Sequence, residues 1–450
     1  MTVRSLYPVL STLAVVTVGT LGFIEGPLVA LGVVGALIVV AAALMLVQRR
    51  DGGPPPRAVA SALPPALEED VSPFYRGLAP MVVLALLLRV VMVFLTNATE
   101  LWMEFAPDSH YWMLSGAALL DHWRDPLVPL TPWFGSEDAR PFYAVVNALL
   151  AAVFGASRYP PSLLNGPINV WAAFNFGRLA EMIYGREAGR WTFLGGLFFP
   201  SLMLWSSMNI REAWSFLVIS FVLLSAHRLR QRFSPWDAAL LLGSIAAMYS
   251  IRSYLVPLLF GGVVLSYLVV RVRQLPYALF SLALILVLAQ SVGQNFGLDP
   301  AILSEDSLET VDELRRGLAY GGSAYGAEVD TRTVAGSLAY LPEGIARFLL
   351  GPYPWAVRSW RQMLTVPESL LWYWIVVLAG LALARDLRKR LTRVAPSFFV
   401  LLLVTAGYGL VSGNEGTAYR HRAQIMMIVF VFASSHPVFQ RRRPARPAPA

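Results

Sequence analysis

Residues 28–47 read LVALGVVGALIVVAAALMLV, twenty positions without a charged side chain, and Arg49 and Arg50 follow closely. About 20 apolar residues in a helix span the hydrocarbon core of a bilayer, and a second apolar run occupies 9–24. Of the 450 residues, 56% are hydrophobic and 14% charged, with a mean hydropathy of +0.57, whereas soluble domains carry about 25% charged residues. The composition therefore predicts an integral membrane protein.

The formal charge is +8, from 36 basic and 28 acidic residues, and Lys389 is the single lysine. The basic residues cluster at the ends of apolar runs rather than on one surface, so a nucleic-acid partner is not expected. Cysteine is absent from the sequence, which excludes disulfides, thiolate metal sites and cysteine nucleophiles.

Arginine clusters indicate which ends of the apolar runs face the cytoplasm, because positive residues near span ends concentrate on that side. The clusters are Arg49 with Arg50, Arg186 with Arg190, 228–232, Arg271 with Arg273, 385–393 and 441–446. Segments 98–140 and 294–345 hold 16 of the 28 acidic residues and only five arginines. Both segments are therefore expected to face outward.

Twelve spans fit this sorting: 6–23, 27–48, 76–97, 163–184, 190–206, 213–229, 236–250, 254–270, 276–293, 367–384, 395–413 and 423–436. The apolar stretch 143–155 would form a helix of about 20 Å, short of the roughly 30 Å hydrocarbon core. Counting it as a span would also place Arg186 and Arg190 outside. We therefore expect an interfacial or re-entrant helix there, within an all-α polytopic membrane helix bundle of about 12 spans with both termini cytoplasmic.

The chain divides into segments of different composition. We predict an N-terminal transmembrane hairpin at 1–50, a Pro/Gly-rich linker at 51–75, a main membrane module at 76–293 with its first outer loop at 98–140, an outer loop and interfacial segment at 294–366, C-terminal transmembrane helices at 367–436 and a basic disordered tail at 437–450. The tail is expected to contact anionic membrane lipids.

Asp108 and Tyr111 lie in the sequence FAPDSHYW just beyond span 76–97. Pro107 sets a turn, and Asp108 can then cap the helix behind it. Alternatively, its carboxylate lies at the membrane surface and accepts a proton from an acceptor hydroxyl. Ionisable groups beside a span are costly and are functional candidates, and the sequence leaves both interpretations open.

Arg140 and Pro141 open the short helix, with Tyr143 following. The helix dipole does not favour a cation at a helix start, whereas the planar guanidinium group suits a phosphate. Arg140 is therefore either a solvated loop residue or a ligand of a lipid-linked phosphate.

Asn209, Arg211 and Glu212 occupy the predicted outer apex of the hairpin at 200–214. A local pair between Arg211 and Glu212 would contribute little stability on an exposed turn. The alternative makes Glu212 a second carboxylate facing the same pocket as Asp108.

Three further arginines, Arg252, Arg420 and Arg422, are expected on the outer rim, where they suit an anionic lipid headgroup better than a neutral solute. The last two belong to GNEGTAYRHR at 413–422, a predicted outer hairpin. No spacing of histidines and acids indicates a metal site, and no phosphate loop is present. We predict no cofactor, leave assistance by a divalent cation open, and expect any activated substrate to arrive through the membrane.

This order of features resembles the GT-C superfamily of integral membrane glycosyltransferases. The shared features are a span, an outer loop with an early Asp108, the Arg140-Pro141 pair opening a short helix, and a later outer hairpin with Glu212, within about residues 76–260. The chain is most similar to the protein O-mannosyltransferase and lipid A aminoarabinose transferase branch and its bacterial relatives. It departs from the family in having Asp108-Ser109 where Asp-Glu is common, and Glu rather than Asp as the second acid.

The resemblance implies transfer of a sugar from a polyprenyl-phosphate donor to a lipid, glycan or protein acceptor on the extracytoplasmic face, with inversion at the anomeric carbon. Asp108 would accept the proton, Glu212 would be the second acid, and Arg140 would contact the donor phosphate. Arg252, Arg420 and Arg422 would stabilise the same phosphate. The substrate-binding candidates are Tyr111, Tyr143, Asn209 and Arg211.

Other functions remain open. A polysaccharide polymerase or O-antigen ligase would depend on Arg420, His421 and Arg422 rather than on Asp108. A lipid-linked glycan flippase or other transporter would carry polar residues through the depth of several spans, whereas here they concentrate at the outer rim. If Asp108 only caps a helix, a non-catalytic scaffold protein is the remaining alternative.

Overall fold

The computed structural model describes residues 77–128, 141–268, 305–319, 324–326, 328–357 and 360–440. These residues are 84% helical and include no strand, which confirms the all-α class. The predicted spans 6–23, 27–48 and 276–293, the linker at 51–75 and Arg140 lie outside the described residues.

Fourteen α-helices follow one another in the part of the chain that is described. They are α1 (Ala79–Ala98), α2 (Leu101–Phe105), α3 (Asp108–Arg124), α4 (Pro141–Phe154), α5 (Tyr159–Tyr184), α6 (Arg186–Phe198), α7 (Pro200–Trp205), α8 (Glu212–Gln231), α9 (Pro235–Arg252), α10 (Leu255–Leu268), α11 (Glu305–Leu318), α12 (Val334–Leu350), α13 (Trp360–Val411) and α14 (Glu415–Ala433). Short 3₁₀ turns occupy Pro354–Ala356 and Pro437–Phe439.

Most of the predicted spans within these residues coincide with helices, but the structure differs from the prediction at one span and at one hairpin. The predicted span 190–206 is broken, because Phe199 is extended and Pro200, which lacks a backbone N–H, starts a new helix. The predicted hairpin at 413–422 is helical from Glu415 onward. The Asn414 side chain accepts hydrogen bonds from the N–H groups of Gly416 and Thr417 and so caps α14.

Three helical stretches are long and apolar enough to cross a membrane: Ala79–Ala98, Glu212–Gln231 and Gln362–Val411. The first has 20 residues, which is about 30 Å of helix. The helix α4 is shorter, at 14 residues, as the sequence predicted for 143–155. The three long apolar stretches are compatible with a membrane protein.

The longest helix, α13, contains 52 residues and is interrupted at Arg390, whose backbone is not helical. The polar sequence RDLRKRLTR at 385–393 surrounds this kink. The predicted spans 367–384 and 395–413 therefore lie on its two sides.

The described chain forms two compact units. Unit 1 holds the described residues up to Val170 together with Met203–Trp214, and unit 2 holds Trp171–Leu202 together with the described residues from Ser215 onward. The predicted module 76–293 is therefore divided between them, and α5 and α8 have residues in both.

In unit 1, α3 packs against α4. Leu119 and Leu120 of α3 meet Ala144, Val145 and Ala148 of α4 in a buried apolar cluster. By contrast, α1 exposes much of its apolar surface, since only 22% of its apolar stretch is buried. An apolar helix that leaves most of its side chains uncovered by protein is what a lipid-facing span presents.

In unit 2, α13 packs against α10, α12 and α14. At one end of this unit, Tyr184 Oη donates to Asp386 Oδ2 at 2.6 Å, and His227 Nε2 lies 2.8 Å from Ser397 Oγ. Arg393 Nη2 donates to the carbonyl of Met182 at 3.3 Å. The carboxyl ends of α5 and α8 and the kinked part of α13 therefore meet here, at what we term the basic end, since residues 228–232 and 385–393 lie there.

Candidate functional site

The structure places Asp108 at the first position of α3, in the turn where a helix dipole favours negative charge. The residue before the helix is Pro107, which makes no side-chain capping bond. Asp108 follows this N-cap as the first residue of the helix. Its side chain is half-buried.

The hairpin that carries the second acid is buried rather than exposed. Asn209 and Glu212 both have 0% of their surface accessible, and Arg211 is half-buried. The expectation that this turn is solvated is therefore wrong. A turn can be buried only when its backbone groups find partners, and here asparagine side chains supply them.

Asn165 of α5 holds the buried turn in place. Its Nδ2 lies 2.7 Å from the carbonyl oxygen of Met208 and 2.8 Å from that of Ile210. The same nitrogen is 3.0 Å from the hydroxyl of Tyr143, so its two hydrogens are shared among three acceptors. Its Oδ1 accepts a hydrogen bond of 3.0 Å from Trp214 Nε1.

Asn209 joins the buried turn to the helices α3 and α4. Its Nδ2 donates to the carbonyl of Ser109 at 3.1 Å and to Asn147 Oδ1 at 2.9 Å. Asn147 Nδ2 in turn donates to the carbonyl of Tyr143 at 2.9 Å. Because a carbonyl can only accept, these contacts fix the orientation of both amides. The starts of α3 and α4 and the turn before α8 are thus connected within unit 1.

Aromatic side chains surround this connection. The Trp112 ring meets the Tyr143 ring edge-on, with centroids 5.4 Å apart, and the Arg211 guanidinium lies 5.1 Å from the Trp112 ring centre. Tyr143 is 1% exposed, whereas Tyr111 is 40% exposed and contacts Trp112 edge-on. Of the predicted substrate-binding residues, Tyr111 is exposed, Arg211 is half-buried, and Tyr143 and Asn209 are buried.

Sequence reasoning missed Asn147 and Asn165, which carry most of these hydrogen bonds. Both are asparagines within apolar helical sequence, at VVNALL and LLNGPI. Buried amides require partners, so an asparagine in an otherwise apolar run was the available signal. The sequence could not show that both amides reach the same turn.

The predicted phosphate-binding arginines Arg252, Arg420 and Arg422 belong to unit 2, where Arg252 and Arg422 are buried. Arg252 is 2% exposed, and its Nη1 donates to the Tyr254 hydroxyl and lies 3.2 Å from His421 Nε2. A guanidinium has no acceptor, so a hydrogen bond at this contact has His421 Nε2 as its acceptor. His421 also stacks on Tyr408, with ring centroids 4.7 Å apart.

Arg422 is fully buried and holds the end of α12. Its Nη1 donates to the carbonyls of Leu349 at 3.1 Å and Gly351 at 2.8 Å, and its guanidinium lies 5.4 Å from the Trp372 ring centre. Cations are favoured at helix carboxyl ends because the last carbonyls lack helical partners. Successive helical residues point about 100° apart, so Arg420, His421 and Arg422 face different directions from α14.

The predicted outer segment 294–345 contains a buried ion-pair cluster. Asp312 accepts from Arg315 Nη2 at 2.6 Å and from the Thr331 hydroxyl at 2.9 Å, and it pairs with Arg316 at 2.7 Å. Burial tends to raise the pKa of Asp312, but the hydrogen bonds from Arg315 and Thr331 and the charge of Arg315 hold this pKa below its ordinary value.

Within the described residues, no group of three or more acidic or histidine side chains is close enough to hold a metal ion. No family model matches the chain, and no significant match was found among curated proteins or solved structures. The described residues form apolar, membrane-compatible helices with a buried polar connection around Asn209 and Asn165.

Proposed function

We propose that this protein is a membrane glycosyltransferase that moves a sugar from a polyprenyl-phosphate-linked donor to a lipid, glycan or protein acceptor on the extracytoplasmic face. The proposal retains a GT-C-like bundle of about 12 spans with cytoplasmic termini. One observation carries it: the hydrogen bond of 3.1 Å from Asn209 Nδ2 to the Ser109 carbonyl. It links the segment of Asp108 to the segment of Glu212, which the resemblance makes the two acids of one active site.

In the proposed reaction, the acceptor hydroxyl attacks the anomeric carbon, and the bond from that carbon to the phosphate oxygen breaks. Asp108 accepts the hydroxyl proton, and the lipid phosphate leaves with its negative charge stabilised by Arg140. A half-buried carboxylate in the first turn of α3 remains accessible to an acceptor. Glu212, fully buried at the first position of α8, is proposed to orient groups around the site rather than to contact bulk water.

Asn147 of α4 accepts from Asn209, and Asn165 bonds both the Tyr143 hydroxyl of α4 and the Met208 carbonyl, so α4 is joined to the turn. Arg140 immediately precedes α4 in the sequence, so the proposed phosphate ligand would be carried to the same region of unit 1. Arg252, Arg420 and Arg422 remain proposed phosphate ligands on the basis of the resemblance. Arg422 is the least suited of the three, because its Nη1 is already engaged by backbone carbonyls.

The test compares Asp108→Asn with Asp121→Asn, a matched exposed acid on the same helix. Surface glycans and glycolipids of strains carrying each variant are profiled by mass spectrometry, with protein amounts measured in parallel. We expect Asp108→Asn and Arg140→Ala to abolish one glycan product and Asp121→Asn to preserve it. If Asp108→Asn leaves every glycan intact while Arg420→Gln or His421→Leu removes one, the polymerase or ligase alternative replaces the transferase.

A further inference from the structure

A cavity of about 260 Å³ opens at the basic end of unit 2, next to the kink of α13. Its lining includes Arg385, Lys389 and Arg390, and these cations face a single carboxylate, that of Asp386. Binding sites for drug-sized ligands measure about 300–1,000 Å³, so this cavity has the size for a small polar group rather than for an extended substrate.

The carboxylate in the cavity, that of Asp386, already has an ion-pair partner. Asp386 Oδ1 accepts from Arg385 Nε at 3.1 Å, and its Oδ2 accepts from the Tyr184 hydroxyl at 2.6 Å. Arg385 Nη2 also donates to Ser435 Oγ at 3.1 Å. The charges of Arg385 and Asp386 therefore compensate each other, and the hydrogen bonds fix one wall of the cavity.

Lys389 and Arg390 are left with their charges uncompensated, since neither has an ion-pair or hydrogen-bond partner among the described residues. Both side chains are exposed, so they can reorient toward a ligand. Two adjacent cations without partners, at the mouth of a polar cavity, attract an anion with several acceptor oxygens, and a guanidinium beside an ammonium suits phosphate.

We propose that this cavity is a phosphate-binding site, with Lys389 and Arg390 as the ligands of the phosphate group and Asp386, Tyr184 and Arg385 as the fixed wall. The phosphate belongs either to an anionic phospholipid headgroup or to a small soluble phosphate. Basic pockets between helix ends at a membrane surface bind lipid headgroups in this manner. The site is separate from the proposed transferase residues and does not depend on that activity.

The experiment uses Lys389 as its own reporter, because it is the only lysine in the sequence. The full-length protein is reconstituted in phosphatidylcholine nanodiscs, and acetylation of Lys389 by an amine reagent is followed by peptide mass spectrometry, with the α-amino group as internal reference. One arm adds phosphatidylglycerol to the nanodiscs, and the other adds inorganic phosphate in solution. Slower acetylation in the first arm alone identifies a lipid headgroup, and slower acetylation in the second identifies a soluble phosphate.

Binding itself is measured on purified protein by native mass spectrometry, as retention of one phosphatidylglycerol or phosphate. Lys389→Ala with Arg390→Ala should lower the affinity about fivefold for each cation removed. Arg388→Ala is the matched control, since Arg388 is exposed beside these residues but does not line the cavity. The proposal is overturned if neither ligand protects Lys389, or if Arg388→Ala weakens retention as much as the double variant does.

Discussion

Asn209 donates a hydrogen bond of 3.1 Å from its side-chain amide to the backbone carbonyl of Ser109, a residue one hundred positions earlier in the chain. The same amide reaches Asn147 Oδ1 at 2.9 Å. Both donor hydrogens of one fully buried side chain are therefore used to hold two other helices of unit 1. Asn209 therefore holds the backbone of the residue that follows Asp108, the proposed catalytic base.

Asn209→Ala should destabilise the fold and impair transfer. The substitution leaves the Ser109 carbonyl and Asn147 Oδ1 without this donor in a buried environment, at a cost of about 1–3 kcal/mol for each unsatisfied group. We expect a lower Tm of the purified protein and a reduced kcat for sugar transfer, because Asp108 loses the contact that fixes its neighbour.

Asn175→Ala is the matched control for that variant. Asn175 is also a buried amide, and its Nδ2 donates to Ser220 Oγ at 3.0 Å within unit 2. We expect a lower Tm with an unchanged kcat. Equal losses of transfer in both variants would show that Asn209 acts only through global stability.

The helices of this fold could be predicted to a large extent from apolar periodicity. The predicted spans 213–229 and 236–250 correspond to Glu212–Gln231 and Pro235–Arg252. Apolar length also identified α4 as too short to cross a bilayer. In contrast, composition could not place the ends of helices where a proline restarts a helix, as at Pro200, or where a side chain caps one, as at Asn414.

The sequence singles out two acids, whose role stays a prediction, but it did not reveal the asparagines that hold their segments together. Asp108 and Glu212 were visible because charges beside apolar runs are rare. Burial of the turn at 206–211 was not visible, since it depends on Asn165 reaching two carbonyls more than forty residues away. Long-range amide contacts of this kind follow from tertiary packing, which a single sequence does not encode in a local pattern.

Arg422→Lys should destabilise unit 2 while preserving the charge. The arginine donates to two carbonyls through Nη1 and rests against the ring of Trp372, whereas an ammonium lacks the planar fork. Loss of hydrogen bonds that involve a charged group costs about 1.5–3 kcal/mol. Thermal unfolding of the purified protein measures the change, and Arg388→Lys, at an exposed position of α13, should stay within about 0.5 kcal/mol of the parent.

Acid should loosen the segment around α11 through protonation of Asp312. Its pKa in the folded chain lies below the unfolded value of about 3.9. The stabilisation is therefore present above pH 3.9 and is lost as the pH falls through the lower folded pKa, because the unfolded state binds the proton first. Limited proteolysis of residues 305–350 between pH 6 and pH 3 should show faster cleavage at the acid end.

Asp312→Asn should make that segment susceptible already at pH 6 and flatten its pH dependence. Glu313→Gln, an exposed neighbour on α11, should retain the pH dependence of the parent. A steep acid response that persists in Asp312→Asn would assign the effect to another carboxyl group.

Two glycines on packed helices of unit 2 should respond to alanine with opposite signs. A Cβ at Gly344 of α12 would lie 2.2 Å from the carbonyl oxygen of Gly409 in α13, so the two backbones would have to separate. Overpacking of this kind costs about 1–3 kcal/mol. At Gly380, also in α13, a Cβ would meet nothing within 4 Å, and alanine gains about 0.5–1 kcal/mol from its higher helix propensity. We therefore expect Gly344→Ala to lower the Tm and Gly380→Ala to raise it, and a Gly344→Ala protein as stable as the parent would contradict the close approach of α12 and α13.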